Sequence, residues 1–208
     1  MDFAPTPRAA ELATQVRVFV DERIVPVEHE VALDIAQRRA RGEDAWLPHP
    51  VIAQLQSQAR AEGLWNLFLP AGHEGPYAQR YGTSGGRGLS NSEYAVVAEQ
   101  TGRSALAPLI FNCNAPDTGN MEVLLKYGSQ EQKDTWLDPL LDARIRSAFL
   151  MTEPGVASSD ATTMQATAIL DGDGIVLNGR KWWSTGAGHP DCRVGVFMGL
   201  TDPSADRH

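Results

Sequence analysis

Two segments of this 208-residue chain carry residue types that could do chemistry together. The first reads Arg146-Ser147-Ala148-Phe149-Leu150-Met151-Thr152-Glu153-Pro154-Gly155-Val156-Ala157-Ser158-Ser159-Asp160-Ala161. An apolar strand runs into a Thr-Glu-Pro turn and then into a loop of small and hydroxyl residues. Gly155 and Ala157 remove side-chain bulk, so the backbone can approach a flat polar ligand closely. Thr152, Ser158 and Ser159 add hydroxyl donors beside unpaired loop amides. The second segment, Lys181-Trp182-Trp183-Ser184-Thr185-Gly186, sets adjacent tryptophans next to two hydroxyls. An aromatic face beside a hydroxyl suits a planar heteroaromatic, held by stacking and one directional hydrogen bond. Taken singly, the tryptophans also read as sheet packing, and Thr-Glu-Pro also reads as an ordinary turn.

Other candidate chemistry is weaker. His29, His49, His73, His189 and His208 show no ligand spacing, so no metal site is expected. Cys113 and Cys192 form no CxxC pair, which argues against a disulfide framework and for a reducing compartment. Cys113 reads as a buried small hydrophobe, with no helix start or histidine nearby to lower its pKa. The run Gly82–Gly88 (GTSGGRG) lacks the flanks of a phosphate loop and reads as a flexible inter-helix connection.

Composition narrows the class. Hydrophobic residues are 42% and charged residues 21%, as in globular proteins. Lys plus Arg is 18 against Asp plus Glu 26, a formal charge of −8, which disfavours a nucleic-acid partner. The opening MDFAPTPRAAEL has no apolar core followed by a cleavage site, so no signal peptide is expected. No run approaches the ~18 apolar residues of a membrane span. The absence of an Arg-rich, acid-poor leader points to a cytoplasmic protein.

The elements that must position these segments change character near residue 145. Upstream, Leu12, Val16, Phe19 and Val20 make one helical stripe, with Pro7 near its start and Pro26 expected to end or kink it. Ile52, Leu55 and Ala59 form a second stripe between Pro50 and Gly63. Ser90 with Glu93 reads as a capping box ahead of Tyr94, Val97, Ala98 and Thr101, closed by Gly102. Met121, Leu124 and Leu125 stop at Gly128. Ser129 with Gln132 is a second capping box, leading to Trp136, Leu137, Leu140 and Leu141. Five or six helices packed as a bundle are expected.

Downstream the period becomes two. Met164–Leu170 alternates, Asp171-Gly172-Asp173-Gly174 turns, and Ile175–Leu177 returns. Asn178-Gly179 reads as a second hairpin turn into a strand over Arg180–Thr185, and a last strand covers Arg193–Leu200. The expected fold is therefore α+β: an all-α bundle over residues 1–145, then a partial antiparallel β-barrel over 146–208. Strand-helix-strand alternation is missing, which disfavours a dinucleotide-binding Rossmann unit.

Met151–Pro154, Ser159-Asp160 and Asn178–Thr185, in this order, resemble the acyl-CoA dehydrogenase family. That family carries Met-Thr-Glu-Pro followed by Ser-Asp, and then Asn-Gly-x-Lys-x-Trp-x-Thr. The spelling VASSDA, one residue longer than the commoner loop, and the Trp-Trp pair resemble a particular branch. The run LLKYGSQEQK (Leu124 to Lys133) agrees as well.

The resemblance implies FAD as cofactor and α,β-dehydrogenation of an acyl-CoA thioester. It implies that Phe149, Leu150, Met151 and Thr152 line the flavin ring and that Thr152 bonds its pyrimidine end. Trp183 covers a ring face, with Ser184 beside it, and Thr185 points its hydroxyl toward N5. Ser159 meets the CoA ester, and Ser158 lies beside it with the flavin phosphates as partner. Glu153 belongs to the binding loop and is not the base; the family's catalytic carboxylate comes from a C-terminal helical domain. A complete member is nearly twice as long, so this chain reads as an N-terminal portion ending at Asp206-Arg207-His208, with no catalytic residue of its own and an inactive chemistry in isolation. Homo-oligomers and an electron-transferring flavoprotein as acceptor are the implied partners. The competing reading is a non-catalytic flavin or CoA-ester binding module, or a helical interaction module.

Overall fold

Thr6 opens the first helix: its side chain accepts from the Ala9 N–H at 3.2 Å, and Pro7 takes the first helical position, where a missing N–H costs nothing. The structure is a computed structural model, and it describes residues 4–69 and 88–205. The Gly-rich run read at Gly82–Gly88 lies outside the described residues except for Gly88, as do His73 and the Asp206-Arg207-His208 end. The chain divides into two compact units, Met1–Arg144 and Ile145–His208.

In the first unit, α1 (Pro7–Phe19) passes through a π turn at Val20–Ile24 into α2 (Val25–Ala40). Pro26 was expected to end or kink a helix here, and the local answer is the π turn. Proline offers no N–H and crowds the carbonyl four residues back. The wider turn absorbs that, with the Val25 N–H donating to Val20 O. The same device recurs later: a π turn at Lys133–Leu137 leads into α8 (Asp138–Leu141), whose second residue is Pro139.

Between these lie α3 (Pro50–Ala61), α4 (Asn91–Thr101), α5 (Ala107–Ile110), α6 (Asp117–Tyr127) and α7 (Gln130–Gln132). Both capping boxes form. The Glu93 N–H donates to Ser90 Oγ at 3.3 Å while the Ser90 N–H donates to Glu93 Oε2 at 2.9 Å. Ser129 and Gln132 repeat this at 3.2 and 2.9 Å. The stripes read from the sequence meet in one core: Leu12, Val16, Phe19 and Val20 with Ile52, Leu55, Ala59, Val97, Ile110 and Phe111. Phe19 and Phe111 contact edge to face at 5.3 Å between centroids. Each such buried Val, Leu, Ile or Phe side chain is worth roughly 1.5–3 kcal/mol.

The second unit departs from the expected antiparallel meander. Its described strands form two two-stranded sheets, and no closed barrel is present among them. β1 (Arg146–Leu150) pairs in parallel with β4 (Cys192–Phe197). Parallel pairing needs a long crossover, which the whole stretch between the two strands supplies. Only β2 (Thr167–Asp171) and β3 (Gly174–Asn178) pair antiparallel, around Gly172-Asp173 with Gly172 at φ 59°. That hairpin turn is the one read from the sequence. The second hairpin, into a strand over Arg180–Thr185, does not form. Gly179 sits at φ 150° and Trp183 at φ 53°, so this stretch cannot run as a flat strand. Its backbone is instead spent on the loop described next.

Candidate functional site

β1 delivers its last residues into the Thr-Glu-Pro turn. Phe149 and Leu150 lie in register with Val196 and Phe197, and the Leu150 carbonyl accepts from the Met198 N–H at 3.0 Å. Met151 and Thr152 follow, half-buried, just past the end of the ladder.

Glu153 organises everything around it. It is 6% exposed. Its carboxylate accepts from the Gln165 N–H at 2.8 Å, the Ala166 N–H at 2.9 Å and Lys181 Nζ at 2.8 Å. Burial pushes the carboxyl upward, but Lys181 and the two amides outweigh it and hold it below its ordinary value. A carboxylate so occupied is a scaffold and not a free base. The Glu153 N–H donates to Ser158 Oγ at 2.8 Å and closes the small-residue loop. Asp160 is committed too: Oδ1 accepts from the Thr162 hydroxyl at 2.6 Å and the Thr162 N–H at 2.9 Å. Those two donors lower its carboxyl, the hydroxyl first.

The two candidate segments are joined directly. The Trp182 N–H donates to the Thr152 carbonyl at 3.0 Å, and Lys181 Nζ donates to the Met151 carbonyl at 2.9 Å. The Lys181 side chain is 8% exposed and lies over the Phe197 ring at 5.0 Å. Trp183, by contrast, is 79% exposed and touches Trp182 edge-on at 5.5 Å. Thr185 is exposed, and Ser184 Oγ points back toward the Trp182 carbonyl at 3.5 Å.

The predicted residues thus separate into two kinds. The Thr152 N–H and hydroxyl, Ser159, Trp183 and Thr185 have no hydrogen-bond partner among the described residues. Ser158 is engaged inside the loop. Sequence reasoning assigned no role to Lys181. The signal was present, since this lysine belongs to the Asn-Gly-x-Lys-x-Trp-x-Thr pattern, but strand alternation would have set it on the same face as Trp183 and Thr185.

Cys113 packs against the helical core, its thiol donating to the Phe111 carbonyl at 3.3 Å. Burial raises that thiol's pKa, which favours the protonated thiol over the thiolate. Among the described residues, no group of three His, Cys, Asp or Glu side chains could hold a metal ion, and no helix is long and apolar enough to cross a membrane.

Comparison with known proteins agrees on one family. Residues 6–144 match the profile described as "Acyl-CoA dehydrogenase, N-terminal domain", and residues 148–208 match "Acyl-CoA dehydrogenase, middle domain". Acyl-CoA dehydrogenase family member 11 of Mus musculus is 49% identical over 208 residues, covering 99% of this chain and 25% of its own length. A solved Mycobacterium abscessus protein assigned as an acyl-CoA dehydrogenase is 56% identical with a TM-score of 0.85, over 98% of this chain and 48% of that one. A glutaryl-CoA dehydrogenase from Mycobacterium smegmatis, solved in complex with FADH2, shares the fold at 24% identity and TM-score 0.65, over 95% of this chain and 43% of that one. The chain therefore spans a quarter to a half of the length of these relatives.

Proposed function

The chain belongs to the acyl-CoA dehydrogenase family, and from that premise we propose that it supplies the flavin-facing and thioester-facing surface for FAD-dependent α,β-dehydrogenation of acyl-CoA. Residues 1–145 are the helical domain in this reading, and residues 146–208 belong to the middle β-domain. The observation that carries it is the 3.0 Å bond from the Trp182 N–H to the Thr152 carbonyl, which brings the two ligand-type segments side by side.

The residues present fit a flavin. The Thr152 N–H and hydroxyl are donors without a partner among the described residues, and Trp183 presents an aromatic face to solvent. A planar ring with hydrogen-bonding edges uses both. Phe149, Leu150 and Met151 line the ring through their backbone, and Thr152 donates to the pyrimidine end. Trp183 covers a face with Ser184 beside it, and Thr185 offers its hydroxyl to N5, where a donor stabilises arriving charge. Ser159 meets the CoA ester; Ser158, held in the loop, lends shape more than a contact. A bound FAD would supply the hydride-accepting chemistry, and these residues would hold and orient it. Acyl-CoA as substrate, a homo-oligomeric assembly and an electron-transferring flavoprotein as acceptor belong to the same proposal.

A second reading, binding without catalysis, is favoured by the commitment of both loop carboxylates. The Glu153 carboxylate is tied to three donors of the chain, and Asp160 Oδ1 to two. One experiment covers both. FAD is titrated into the chain while tryptophan emission and flavin absorbance are followed, and acyl-CoA-dependent dye reduction is then assayed. Weak saturable binding is expected, with Kd on the order of 100 µM. A chain that ignores about 1 mM FAD sinks the flavin reading. Binding without dye reduction agrees with either reading for these residues, whereas acyl-CoA-dependent dye reduction by the chain rules out the second.

A further inference from the structure

We propose that Lys181 is a positioning residue whose task is to hold the Met151–Thr152 peptide with its N–H turned outward as a ligand donor. The identity of that ligand, a flavin, rests on the function proposed above; the geometry of the peptide does not.

The peptide plane makes the argument. The Met151–Thr152 bond is trans, the one cis bond among the described residues being Ala115–Pro116. In a trans peptide the carbonyl and the following N–H point in opposite directions. Lys181 Nζ holds the Met151 carbonyl at 2.9 Å, which turns the Thr152 N–H away from the lysine. That N–H has no acceptor among the described residues. The next plane is tied in the same way, because the Thr152 carbonyl accepts from the Trp182 N–H at 3.0 Å. Two consecutive residues of one segment thus fix both peptides flanking Thr152.

The lysine is itself held from behind. Glu153 Oε1 lies 2.8 Å from Nζ, and the Glu153 carboxylate is pinned by the Gln165 and Ala166 amides. A line of support therefore runs from the Gln165-Ala166 backbone through Glu153 and Lys181 to the Met151 carbonyl and so to the Thr152 N–H. An apolar side chain at 181 would fill the space and leave that carbonyl unheld. Buried ion pairs often stabilise no better than apolar pairs of similar volume, so stability alone gives little reason to bury this one. Orientation of a donor does.

The test uses the 208-residue chain with carbon-13 and nitrogen-15 labels. Wild type, Lys181→Met and the double variant Lys181→Met with Glu153→Gln are compared. The double variant removes the uncompensated buried carboxylate, so it separates folding from positioning. Expected in both variants is an upfield shift of the Met151 carbonyl resonance, as its hydrogen bond is lost, and FAD binding at least about 10-fold weaker than wild type. Thermal stability falls in the single variant and recovers in part in the double one, where glutamine keeps an acceptor for one of the two backbone amides. A Met151 carbonyl that does not move, or a double variant that recovers wild-type FAD affinity together with stability, overturns the inference. A wild-type chain whose Thr152 amide ignores FAD sinks the flavin reading instead, and the carbonyl spectrum tells the two failures apart.

Discussion

Asn112 donates its side-chain amide to Asn66 Oδ1 at 2.7 Å, with both residues wholly buried and both at φ 53°. The same Asn112 amide reaches the Leu140 carbonyl at 3.0 Å, and the Asn66 amide and Trp65 Nε1 each reach the Leu141 carbonyl at 2.9 Å. Two asparagines thereby satisfy the C-terminal carbonyls of α8 inside an apolar core, where unpaired carbonyls are costly. Asparagine suits the role twice over, since it tolerates the left-handed region and carries both donor and acceptor.

Replacing Asn112 should therefore be expensive. Asn112→Ala is expected to lower the unfolding free energy by roughly 2–4 kcal/mol, from unsatisfied acceptors and an unfavourable left-handed backbone. Asn112→Asp should cost more still, because it sets a carboxylate against three acceptors with nothing to donate. Urea unfolding of the two variants checks the order; an aspartate variant as stable as wild type would contradict it.

Trp183 should matter for ligand and not for fold. It is 79% exposed, so Trp183→Ala should change stability by no more than about 0.5 kcal/mol. Loss of a stacking face worth roughly 1–1.5 kcal/mol should weaken FAD binding by about 10-fold. A thermal melt and a flavin titration of the same preparation measure both.

Acid should loosen the second unit through Glu153. Its carboxyl is held below the ordinary value of 4.5, so the folded state binds the proton less readily than the unfolded chain. The stabilisation is complete above that ordinary value. It declines as pH falls, because the unfolded chain protonates first, and it is gone below the folded pKa. Emission of Trp182, whose N–H is tied to Thr152, should follow this loss during denaturant titrations at successive pH values. Glu153→Gln should flatten the dependence over that window.

Gly179 should admit no side chain. A Cβ there would stand 2.5 Å from Ala166 Cβ and 2.9 Å from Ala166 Cα, and φ is 150°. Ala166 is buried and its amide holds Glu153, so the clash falls on the support of the loop. Gly179→Ala is expected to destabilise by about 1–3 kcal/mol. Faster hydrogen exchange at the Gln165 and Ala166 amides than elsewhere in the unit would locate the damage.

Local chemistry was readable without the structure. The capping boxes at Ser90–Glu93 and Ser129–Gln132, the stripes of α1 and α3, and the Asp171–Gly174 turn all depend on residues within a few positions of one another. The candidate segments were readable too, because hydroxyls, a small-residue loop and paired tryptophans advertise themselves by type. Lys181 was not. Alternation assigns a side chain to a face only if the backbone is a strand, and the stretch after Gly179 is not one.

The amino-acid order by itself determined where the helical stripes lie, where their N-termini are capped, and which two segments carry ligand-type side chains. Only the tertiary structure decided that β1 pairs in parallel with β4, that Glu153 is a saturated scaffold, and that Lys181 turns inward while Trp183 faces solvent. The physical reason is range. Caps and turns are settled by bonds between near neighbours, whereas parallel pairing and a buried ion pair join residues far apart in sequence, and their cost and gain exist only after the chain has closed on itself.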